Sequence, residues 1–574
     1  MPRASILLTG LLLAILAGER CLAQGEKIDG DRLLDPSRLL HIRITMKDED
    51  WDALRHQQRH GASFFAGAPI DDPFTWFNAD IKIDGTLVRK VGVRKKGLFG
   101  SMDTERPSLK VKFNEFVEQD PVQGLNRLTL NNNKQDTSQV SQHLTYKLFR
   151  DAGVHAPRSS LAWVTVNGDD LGIYTHVESL NKPFLKRSFG DDTGDLYEGT
   201  LTDFHPRTLK NFSVKTNESD NDLSDIARIA TLFDGKEPLS MEEVEKVLDV
   251  DGFLRFWALE AMVQFWDGYS ANQNNFYFYV EPGSGRGSFI PWGADSCWSE
   301  RGRRSGPAGS TAIFAQSILC NRLYHADNMA DRYRDTLTRL LGEVWEEDEL
   351  VAEIDRIQRL VRSHLHRTQK NADDAMNDVR AFISKRRARL ETELVRWPPP
   401  VPPEPVPPTY TVPLGSLRGS FSTKWDDKAG DEPTRVGKAA LEVTLDGAPV
   451  VFKRVGVSAS EYHAPPGFGA GFGSDAPPRV SLAVAGECES DGKVLSFVIS
   501  VEQGAFEEAT GERIPVTGSF RRGDEPKAGG PARGPRTSVF GDVRFTRAGV
   551  KRGQKVEGDL DLTIAEVHGG MGRE

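Results

Sequence analysis

Acidic and amide side chains surround an aromatic strand in the middle of the chain, in WDGYSANQNNFYFYV (266–280) and FIPWGADSCW (289–298). Asn and Asp are poor strand formers that normally occupy turns. Their side-chain oxygens are the hard ligands that Mg²⁺ prefers, and they leave coordination positions for phosphate oxygens and water. The two segments therefore predict a metal-phosphate site that includes Asp267, Asn272 and Asp295.

The spacing of these three residues matches a catalytic loop. In protein kinases, an aspartate that positions the attacking hydroxyl stands five residues before a metal-binding asparagine, and a second metal-binding aspartate comes later in the chain. Asp267 and Asn272 have that separation, and Asp295 follows the next hairpin. This spacing also arises by chance, so the alternative is a polar turn whose asparagines tolerate left-handed backbone.

A basic segment, VRKKGLFGSMDTERPSLKVKF (93–113), lies nearer the N-terminus. Its candidate phosphate-binding cations are Arg94, Lys96, Lys110 and Lys112, and a glycine-bearing loop separates the two pairs. Phosphoryl transfer needs cations that bind the nucleotide phosphates and offset charge in the transition state. The alternative is a solvated edge hairpin, in which lysines prevent pairing with another sheet.

Glu178, at the end of a predicted strand in GIYTHVESL, is a third candidate. It either orients a phosphate-binding lysine or is an ordinary strand-end carboxylate. The sequence contains no GxSxG nucleophile elbow, no P-loop and no HExxH zinc motif, so these other chemistries have no support.

Hydrophobic periodicity predicts the elements that must position these residues. The first half of the body is β-rich and the second half helix-rich. Asp136, with Gln139 three residues later, predicts the N-terminus of a helix that ends at Gly153. The other predicted elements are strands at 39–46 and 108–113, hairpins at 80–97 and 160–180, a buried helix at 252–266 and helices over 329–396.

Length and charge limit the class of protein. A chain of 574 residues is too long for one ordinary core, so two or three domains are expected. The net charge of -10 argues against a general nucleic-acid binder. After the leader, three cysteines allow at most one disulfide, which excludes a disulfide scaffold.

The N-terminus has the pattern of a signal peptide over residues 1–23. Its apolar run, 6–17, is shorter than the ~20 residues that span a bilayer. Export without lipidation is favoured, because Glu19 and Arg20 break the small-residue pattern that a lipidated Cys21 would need. No later stretch predicts a transmembrane segment, so we expect an exported protein in the periplasm, on the cell surface or secreted.

A proline-dense segment divides the rest of the chain. Residues 397–413 predict a stiff polyproline linker between a body, 30–396, and a tail, 414–574. Short strands with regular turn signals predict an all-β sandwich or barrel for the tail. On this interpretation, truncation at Pro400 leaves a folded and fully active body.

Taken together, the body resembles the CotH family of secreted, spore-coat-type kinases over roughly residues 38–396. Each motif is only moderately specific, and their order along the chain carries the resemblance. The matching segments are GLNRLTL…NKPFL (124–185), DLYEG (195–199), WDGYSANQNNFYFYV (266–280), FIPWGADSCW (289–298) and FISKRRARLETEL (382–394).

The resemblance implies an α+β, atypical protein-kinase-like fold of two lobes. It also implies transfer of the γ-phosphoryl of ATP to Ser or Thr of secreted proteins. Asp267 matches the catalytic aspartate, Asn272 the metal-binding asparagine and Asp295 a metal-binding aspartate. Lys110 and Lys112 fall where the family has basic strand residues facing the nucleotide.

One position departs from the family pattern. The family has two aspartates in the segment that here reads PWGAD, and Gly293 stands at the first of them. If Asp295 is the main metal ligand, the chain is a kinase that uses ATP with Mg²⁺ or Mn²⁺ on exported, envelope or coat proteins. If the missing carboxylate is that ligand, the chain is a catalytically silent pseudokinase that acts through its β-rich tail. The sequence leaves both open.

Overall fold

The structure is a computed structural model. It describes residues 20–21, 27–57, 59, 73–98, 101–235, 237–300, 309–426, 437–462, 479–508, 511–523 and 536–569. Most of the predicted leader, residues 1–23, lies outside this set; Arg20–Cys21 forms a two-residue strand beside Thr86 and Leu87. None of the described helices is both long and apolar enough to cross a membrane.

The first half of the body is a closed β-barrel of seven strands. These are β1 (Leu39–Met46), β2 (Phe77–Ile83), β3 (Thr86–Lys96), β4 (Ser108–Lys112), β5 (Arg127–Asn131), β6 (Ser159–Val166) and β7 (Asp169–Val177). Their order around the barrel is β3-β2-β1-β6-β7-β5-β4, and pairing of β4 with β3 closes the ring. Only β1 and β6 pair in parallel among these strands.

The hairpins that build the barrel follow the predicted turn chemistry. At the β2–β3 turn, Asp84 and Gly85 have φ of 48° and 88°, and Asn167 and Gly168 adopt positive φ in the same way between β6 and β7. Two successive positive φ values are typical of the type I′ turn, which matches the twist of antiparallel strands. Both predicted hairpins are confirmed.

Alternation along the strands separates a buried interior from a basic exterior. On β4, Leu109 and Val111 are buried inside the barrel, so Lys110 and Lys112 point outward. The cross-strand partner of Lys110 is Arg94 on β3. The outer face of β3 and β4 therefore presents the basic side chains toward the second half of the body.

The helix predicted to begin at Asp136 begins five residues later, at Ser141, and it connects the two halves. Helix α3 (Ser141–Asp151) follows the loop that contains Asp136, and its first backbone N–H donates to Asp136 Oδ2 at 2.8 Å. The preceding helices α1 (Gly30–Leu33) and α2 (Asp48–His56) lie in the first half of the body.

The second half of the body combines a small antiparallel sheet with nine helices of the described chain. The sheet has the order β9-β8-β10-β11, from β8 (Asp195–Gly199), β9 (Ser213–Val214), β10 (Phe276–Val280) and β11 (Gly287–Pro291). The helices are α4 (Lys182–Phe189), α5 (Ser224–Asp234), α6 (Met241–Val247), α7 (Val250–Met262), α8 (Tyr269–Asn272), α9 (Ile318–Tyr324), α10 (Met329–Glu343), α11 (Glu347–Val361) and α12 (Ala372–Leu394).

Helix α7 is the centre of this half. Ten of its thirteen residues are buried, as expected of a helix that is apolar nearly all round. It packs against α10 and against β11 in one large core with the aromatic residues of β10. The loop that leaves α7 is therefore held at its start by the largest core of the body.

The tail is a single antiparallel sheet of nine strands. It contains β12 (Tyr410–Lys424), β13 (Lys438–Leu445), β14 (Ala448–Val450), β15 (Phe452–Glu461), β16 (Arg479–Cys488), β17 (Val494–Glu502), β18 (Arg513–Gly523), β19 (Arg536–Ala548) and β20 (Lys555–His568), with α13 (Gln503–Glu508) after β17. Trp425, just after β12, bridges Ala459 on β15, so the sheet curls around one apolar core. The predicted α+β body and all-β tail are confirmed, and the tail is barrel-like.

The proline-rich segment between body and tail lies against the helices of the body. The Pro399 carbonyl accepts a hydrogen bond from the Tyr324 hydroxyl at 2.6 Å. The Pro402 carbonyl accepts one from the Asn321 amide at 2.9 Å. These contacts tie the segment to α9.

Candidate active site

The predicted site lies between the outer face of the barrel and the small sheet. Lys96, at the end of β3, lies 5.9 Å from the centroid of the Trp292 ring, which directly follows β11. Asp267 and Asn272 come from the loop between α7 and β10, and Asp295 follows Trp292 by three residues. The structure thus brings acidic residues of one half of the body close to lysines of the other.

Asp267 is held in place by the asparagines that follow it. Its carboxylate accepts hydrogen bonds from the side-chain amides of Asn272, Asn274 (3.1 Å) and Asn275 (2.8 Å). Hydrogen bonds that a carboxylate accepts favour its charged form and fix its orientation. The asparagine-rich loop therefore has a local role, which is to present a fixed carboxylate.

A buried carboxylate on α7 binds the start of the helical turn α8, which carries Asn272. Glu260 on α7 accepts the backbone N–H groups of Tyr269 and Ser270, both at 2.8 Å. Burial raises the pKa of Glu260 to about 7, although these hydrogen bonds lower it. Glu260 thus satisfies N–H groups that a short helical turn leaves without partners.

Asn272 carries a buried oxygen that is available to a ligand. Its Nδ2 donates to Asp267, while its Oδ1 has no hydrogen-bond partner among the described residues. A buried polar atom without a partner is costly and is expected to bind water, an ion or a ligand. An amide oxygen in this position fits a hard divalent cation.

Asp295 lies in an environment that disfavours a negative charge. Burial, followed by the charges of Asp267 and Asp136, raises its pKa to about 7, and Lys96 opposes this shift. Ser296 Oγ makes a long contact of 3.5 Å with Asp295 Oδ1. A carboxylate with a raised pKa beside two other carboxylates is a group that a bound cation would stabilise.

Two lysines with lowered pKa values lie on the barrel side of the site, Lys96 near Asp295 and Lys110 near Glu198. Burial lowers the pKa of Lys96 to about 8, although Asp295 and Glu198 raise it. Burial and the charge of Lys96 lower the pKa of Lys110 to about 7. Lys96 Nζ also donates to Asn131 Oδ1 at the end of β5. An anion between these lysines would raise both pKa values and stabilise their charged forms.

The other two predicted cations lie on the same barrel face but have protein partners. Lys112 forms an ion pair of 2.7 Å with Glu115. The guanidinium of Arg94 lies 5.1 Å from the Trp76 ring and donates to the Phe74 carbonyl at 3.4 Å. Of the four candidates, Lys96 and Lys110 are therefore the pair with electrostatic links to the acidic side of the site.

Glu178 is bound to two arginines. It accepts hydrogen bonds at 2.8 Å from both Arg158 and Arg187, and only 2% of its side chain is exposed. Burial alone would raise the pKa of Glu178, but the two arginines hold it below its ordinary value. Both carboxylate oxygens already have guanidinium partners, which favours the second of the two alternatives for Glu178, an ordinary strand-end carboxylate.

Gly293 adopts a conformation that suits glycine. Its φ is 58°, and a Cβ at this position would lie 2.5 Å from Asn275 Oδ1. The Asn275 amide, which donates to Asp267, thus occupies the space next to Gly293. The chain has no carboxylate at position 293, and the Asn275 side chain fills the space that a side chain at this position would need.

Two acidic residues of the site were missing from the predicted set. Asp136 was assigned only a capping role, yet its charge raises the pKa of Asp295. Glu198 lies in DLYEG and forms an ion pair of 2.6 Å with Lys215, close enough to Lys110 to affect its pKa. In DLYEG, Glu198 is the only charged residue after Asp195. A charged residue inside an otherwise apolar strand segment could have indicated a site residue from the sequence alone.

The donor set fits a metal that is completed by phosphate. Among the residues that the structure describes, no three His, Cys, Asp or Glu side chains are grouped as a metal site. Mg²⁺ usually takes only one or two carboxylates from the protein and shares its other positions between water and phosphate oxygens. Asp295 and the free oxygen of Asn272 meet that requirement, and Lys96 and Lys110 would face the phosphates.

Known proteins similar to this chain include a spore coat protein and an invasin. The inner spore coat protein H of Bacillus subtilis is 25% identical over 266 residues, which cover 43% of this chain and 72% of that protein. The invasin CotH2 of Rhizopus delemar is 24% identical over 173 residues, 27% of this chain. The chain spans only 29% of the length of that invasin.

Among solved structures, the proinflammatory kinase CtkA of Helicobacter pylori is similar over 50% of this chain and 94% of its own, with 10% identity and a TM-score of 0.29. The family model described as CotH kinase protein matches residues 93–390, just over half of the chain. This match includes the loop that contains Asp267 and Asn272, the PWGAD segment and the basic segment 93–113. The chain belongs to the CotH family.

Proposed function

We propose that this protein is an atypical kinase that transfers the γ-phosphoryl of ATP to Ser or Thr of exported proteins, with Mg²⁺ or Mn²⁺. The observation that supports this most is the charge arrangement around Asp295. A carboxylate whose pKa is raised by its acidic neighbours lies near Lys96, which in turn lies near Lys110, and the pKa values of both lysines are lowered. A metal-bound nucleotide would relieve both shifts, because it brings a cation to the carboxylates and anions to the lysines.

In this proposal each residue has a separate role. Asp267 orients the acceptor hydroxyl, whose oxygen forms the new bond to the γ-phosphorus as the bond to the β-phosphate oxygen breaks. Asn272 Oδ1 and Asp295 would hold the metal, which neutralises phosphate charge when bound. Lys96 and Lys110 would bind phosphate oxygens. The proton of the acceptor hydroxyl passes to the Asp267 carboxylate, and the products are a phosphorylated acceptor and ADP.

The test is transfer of labelled γ-phosphate by the purified mature chain to a generic acidic protein, with Mn²⁺ and with Mg²⁺. Asp267→Ala is expected to abolish incorporation while metal-dependent ATP binding is kept. The matched control is Asp220→Ala, at an exposed aspartate of a surface loop, which is expected to transfer at the wild-type rate. Equal transfer by wild type and Asp267→Ala would contradict the assignment.

The second candidate is a pseudokinase, and the observation that favours it is Gly293. If a carboxylate at position 293 is indispensable, the chain binds no metal-nucleotide and acts through its tail. Calorimetry with a non-hydrolysable ATP analogue and Mn²⁺ separates the two functions. We expect binding that Asp295→Ala weakens at least tenfold, the loss of about 1.4 kcal/mol, whereas no binding by the wild-type chain would favour the pseudokinase.

The acceptors and the location follow from the same proposal. The similar proteins are named as a spore coat protein and an invasin, and such names support export of this chain to the envelope, the surface or the medium. The predicted signal peptide supports export independently. N-terminal sequencing of the protein recovered outside the cytoplasm would test both, with cleavage after Ala23 as the expected result.

A further inference from the structure

The segment 399–406, which we call the strap, makes hydrogen bonds with the part of the body that carries the catalytic loop. Besides the contacts of Pro399 and Pro402 with α9, its last residue makes two backbone hydrogen bonds. The Val406 N–H donates to the Gln316 carbonyl at 2.8 Å. The Val406 carbonyl accepts from Gln273 Nε2 at 2.6 Å.

These two bonds reach both ends of the helical turn α8. Gln316 in turn donates its N–H to the Ser270 carbonyl at 3.0 Å, near the start of α8. Gln273 directly follows Asn272, at the end of α8. Val406 therefore connects the strap to the start of the turn through Gln316 and to its end through Gln273.

The backbone at Gln273 needs such support. Its φ is 52°, a left-handed conformation that costs a non-glycine residue of order 1 kcal/mol and persists only where surroundings enforce it. The Gln273 carbonyl accepts from the Thr202 N–H at 2.9 Å, and its side chain also hydrogen-bonds Asp203. This strained residue stands between Asn272 and Asn274, two of the amides that hold Asp267.

We propose that the strap positions the catalytic loop, with Val406 acting through Gln273 and Gln316 to hold Asn272 and Asp267 in register. Gln273 is a positioning residue: it touches the loop and the strap, and it acts on the metal ligand through the chain. The predicted effect on catalysis rests on the proposed kinase function, whereas the predicted effect of the strap on the order of the loop does not.

The strap also joins the loop to the tail. Four residues after Val406, the Tyr410 ring stacks on His205 at 5.7 Å and lies under the Arg207 guanidinium at 5.3 Å. Tyr410 also stacks on His568, at the end of strand β20 of the tail, at 5.1 Å. A partner that binds the tail near Tyr410 would thus act on the segment that holds the catalytic loop.

The first test is hydrogen exchange of the full chain, measured over residues 268–276. Val406→Pro removes the N–H that Gln316 accepts and suits a segment already flanked by Pro405 and Pro407. Gln273→Asn shortens the side chain that reaches the strap and tolerates left-handed backbone. Each is expected to speed exchange roughly tenfold, the effect of about one lost hydrogen bond. Val406→Ala, which keeps the backbone groups, is expected to leave the protection as it is.

The second readout is the metal dependence of phosphoryl transfer. Both variants are expected to raise the Mn²⁺ concentration for half-maximal transfer roughly fivefold, because Asn272 is less well placed. The double variant should be worse than either single one, because Val406→Pro removes the bond to Gln316 and Gln273→Asn removes the bond from Gln273 to the strap. A purely structural role would lower the melting temperature and leave that concentration unchanged. Pro403→Ala, in an exposed part of the strap, is the activity control.

The outcomes separate the two proposals. Faster exchange in Val406→Pro and Gln273→Asn, without any transfer by the wild-type chain, would keep the strap and remove the kinase. Unchanged exchange and unchanged metal dependence in both variants would overturn the positioning role, even in an active enzyme. Unfolding of Val406→Pro would leave Gln273→Asn, which alters only one side chain, to decide.

Discussion

At the scale of single residues, the site places acidic groups of one half of the body close to lysines of the other half. Each group would be less stable in its charged form without the opposite charge nearby. Asp295 has its pKa raised to about 7 and Lys110 has its pKa lowered to about 7. Both groups therefore titrate near neutral pH, where a small change in environment alters their charge. A ligand that carries both a cation and phosphates is what this pair of environments favours.

The raised pKa of Asp295 predicts a gain in stability when its charge is removed. Because the folded pKa lies above the ordinary 3.8, ionised Asp295 opposes folding; the penalty is full above pH 7 and shrinks as the pH falls toward 3.8. Asp295→Asn is therefore expected to melt about 2–4 °C higher at pH 8, the effect of roughly 1 kcal/mol. The gain should be smaller at pH 5, as thermal unfolding without metal or nucleotide can measure.

The exposed Asp327→Asn is the control for this experiment and should show no such pH-dependent gain. The same Asp295→Asn variant should lose metal-dependent nucleotide binding. A variant that melts at the wild-type temperature at both pH values would show that the Asp295 carboxylate is well solvated or already neutralised.

The second prediction concerns Gly293, where a side chain meets both a left-handed backbone and Asn275. Gly293→Ala is expected to destabilise the body by about 2 kcal/mol in urea unfolding, from backbone strain and overlap together. Gly124→Ala is the matched control, because its φ is 72° and a Cβ there meets no atom within 4 Å; it should cost about 1 kcal/mol.

Adding Asn275→Gly to Gly293→Ala should recover the part of the loss that comes from overlap. An Asp at position 293 should behave like Ala, which means that a carboxylate at this position requires removal of Asn275 as well. Full stability of Gly293→Asp with Asn275 present would show that the loop rearranges freely.

The sequence predicts the contact between Asp267 and Asn272, but it does not predict that Asp136 and Glu198 come close to the candidate site. Asp267 and Asn272 are five residues apart, so their spacing alone predicts that they meet. Asp136 and Glu198 reach the same site from other elements through the closure of the barrel and the pairing of β8 with β10. A single sequence carries no direct record of such contacts.

At the scale of elements, turns could be predicted and closure could not. The Asp84-Gly85 pair determines the hairpin of β2 and β3 because its positive φ values suit few other residues. The parallel pairing of β1 with β6 and the pairing of β3 with β4 across the loop 97–107 depend on the packing of apolar strand faces. Alternation predicted which face of β4 is basic, and only the closed barrel directs that face toward Asp295.

The third prediction concerns the ion pairs that connect the end of β7 with β6 and α4. Glu178→Gln removes the carboxylate partner of the partly buried Arg187 and one of the two partners of Arg158, which keeps its ion pair with Asp31. It should therefore destabilise the body by about 2 kcal/mol in urea at pH 7. Because the pKa of Glu178 is held below the ordinary 4.5, its stabilisation is present above that value. It is lost as the pH falls through the lower folded pKa.

The exposed Glu118→Gln is the control and should leave the urea midpoint unchanged. Nucleotide affinity of folded Glu178→Gln should equal that of the wild type, since both Glu178 oxygens are bound by arginines. Selective loss of nucleotide binding with normal stability would restore Glu178 to the cofactor site.

At the scale of the whole molecule, the proline-rich segment has a local property and a long-range one. Its composition predicts an extended and stiff backbone, which has few internal hydrogen bonds and leaves its carbonyls free. Those carbonyls are the groups that Asn321, Tyr324 and Gln273 bind. Composition could predict that the carbonyls are available but not which surface would bind them.

The last prediction compares two truncations, because the strap ends before the tail begins. A chain that ends at Pro400 loses the contacts of Pro402 and Val406, whereas a chain that ends at Thr409 keeps them. We expect the longer form to bind metal-nucleotide and to transfer phosphate like the full chain. The shorter form should need more metal, in contrast to the fully active body that the sequence alone predicts for truncation at Pro400. Both should unfold cooperatively, since the large core around α7 is built from residues before Val401. If both forms need as little metal as the full chain, the strap does not position the loop. If both forms need more metal than the full chain, the tail supports the loop through Tyr410.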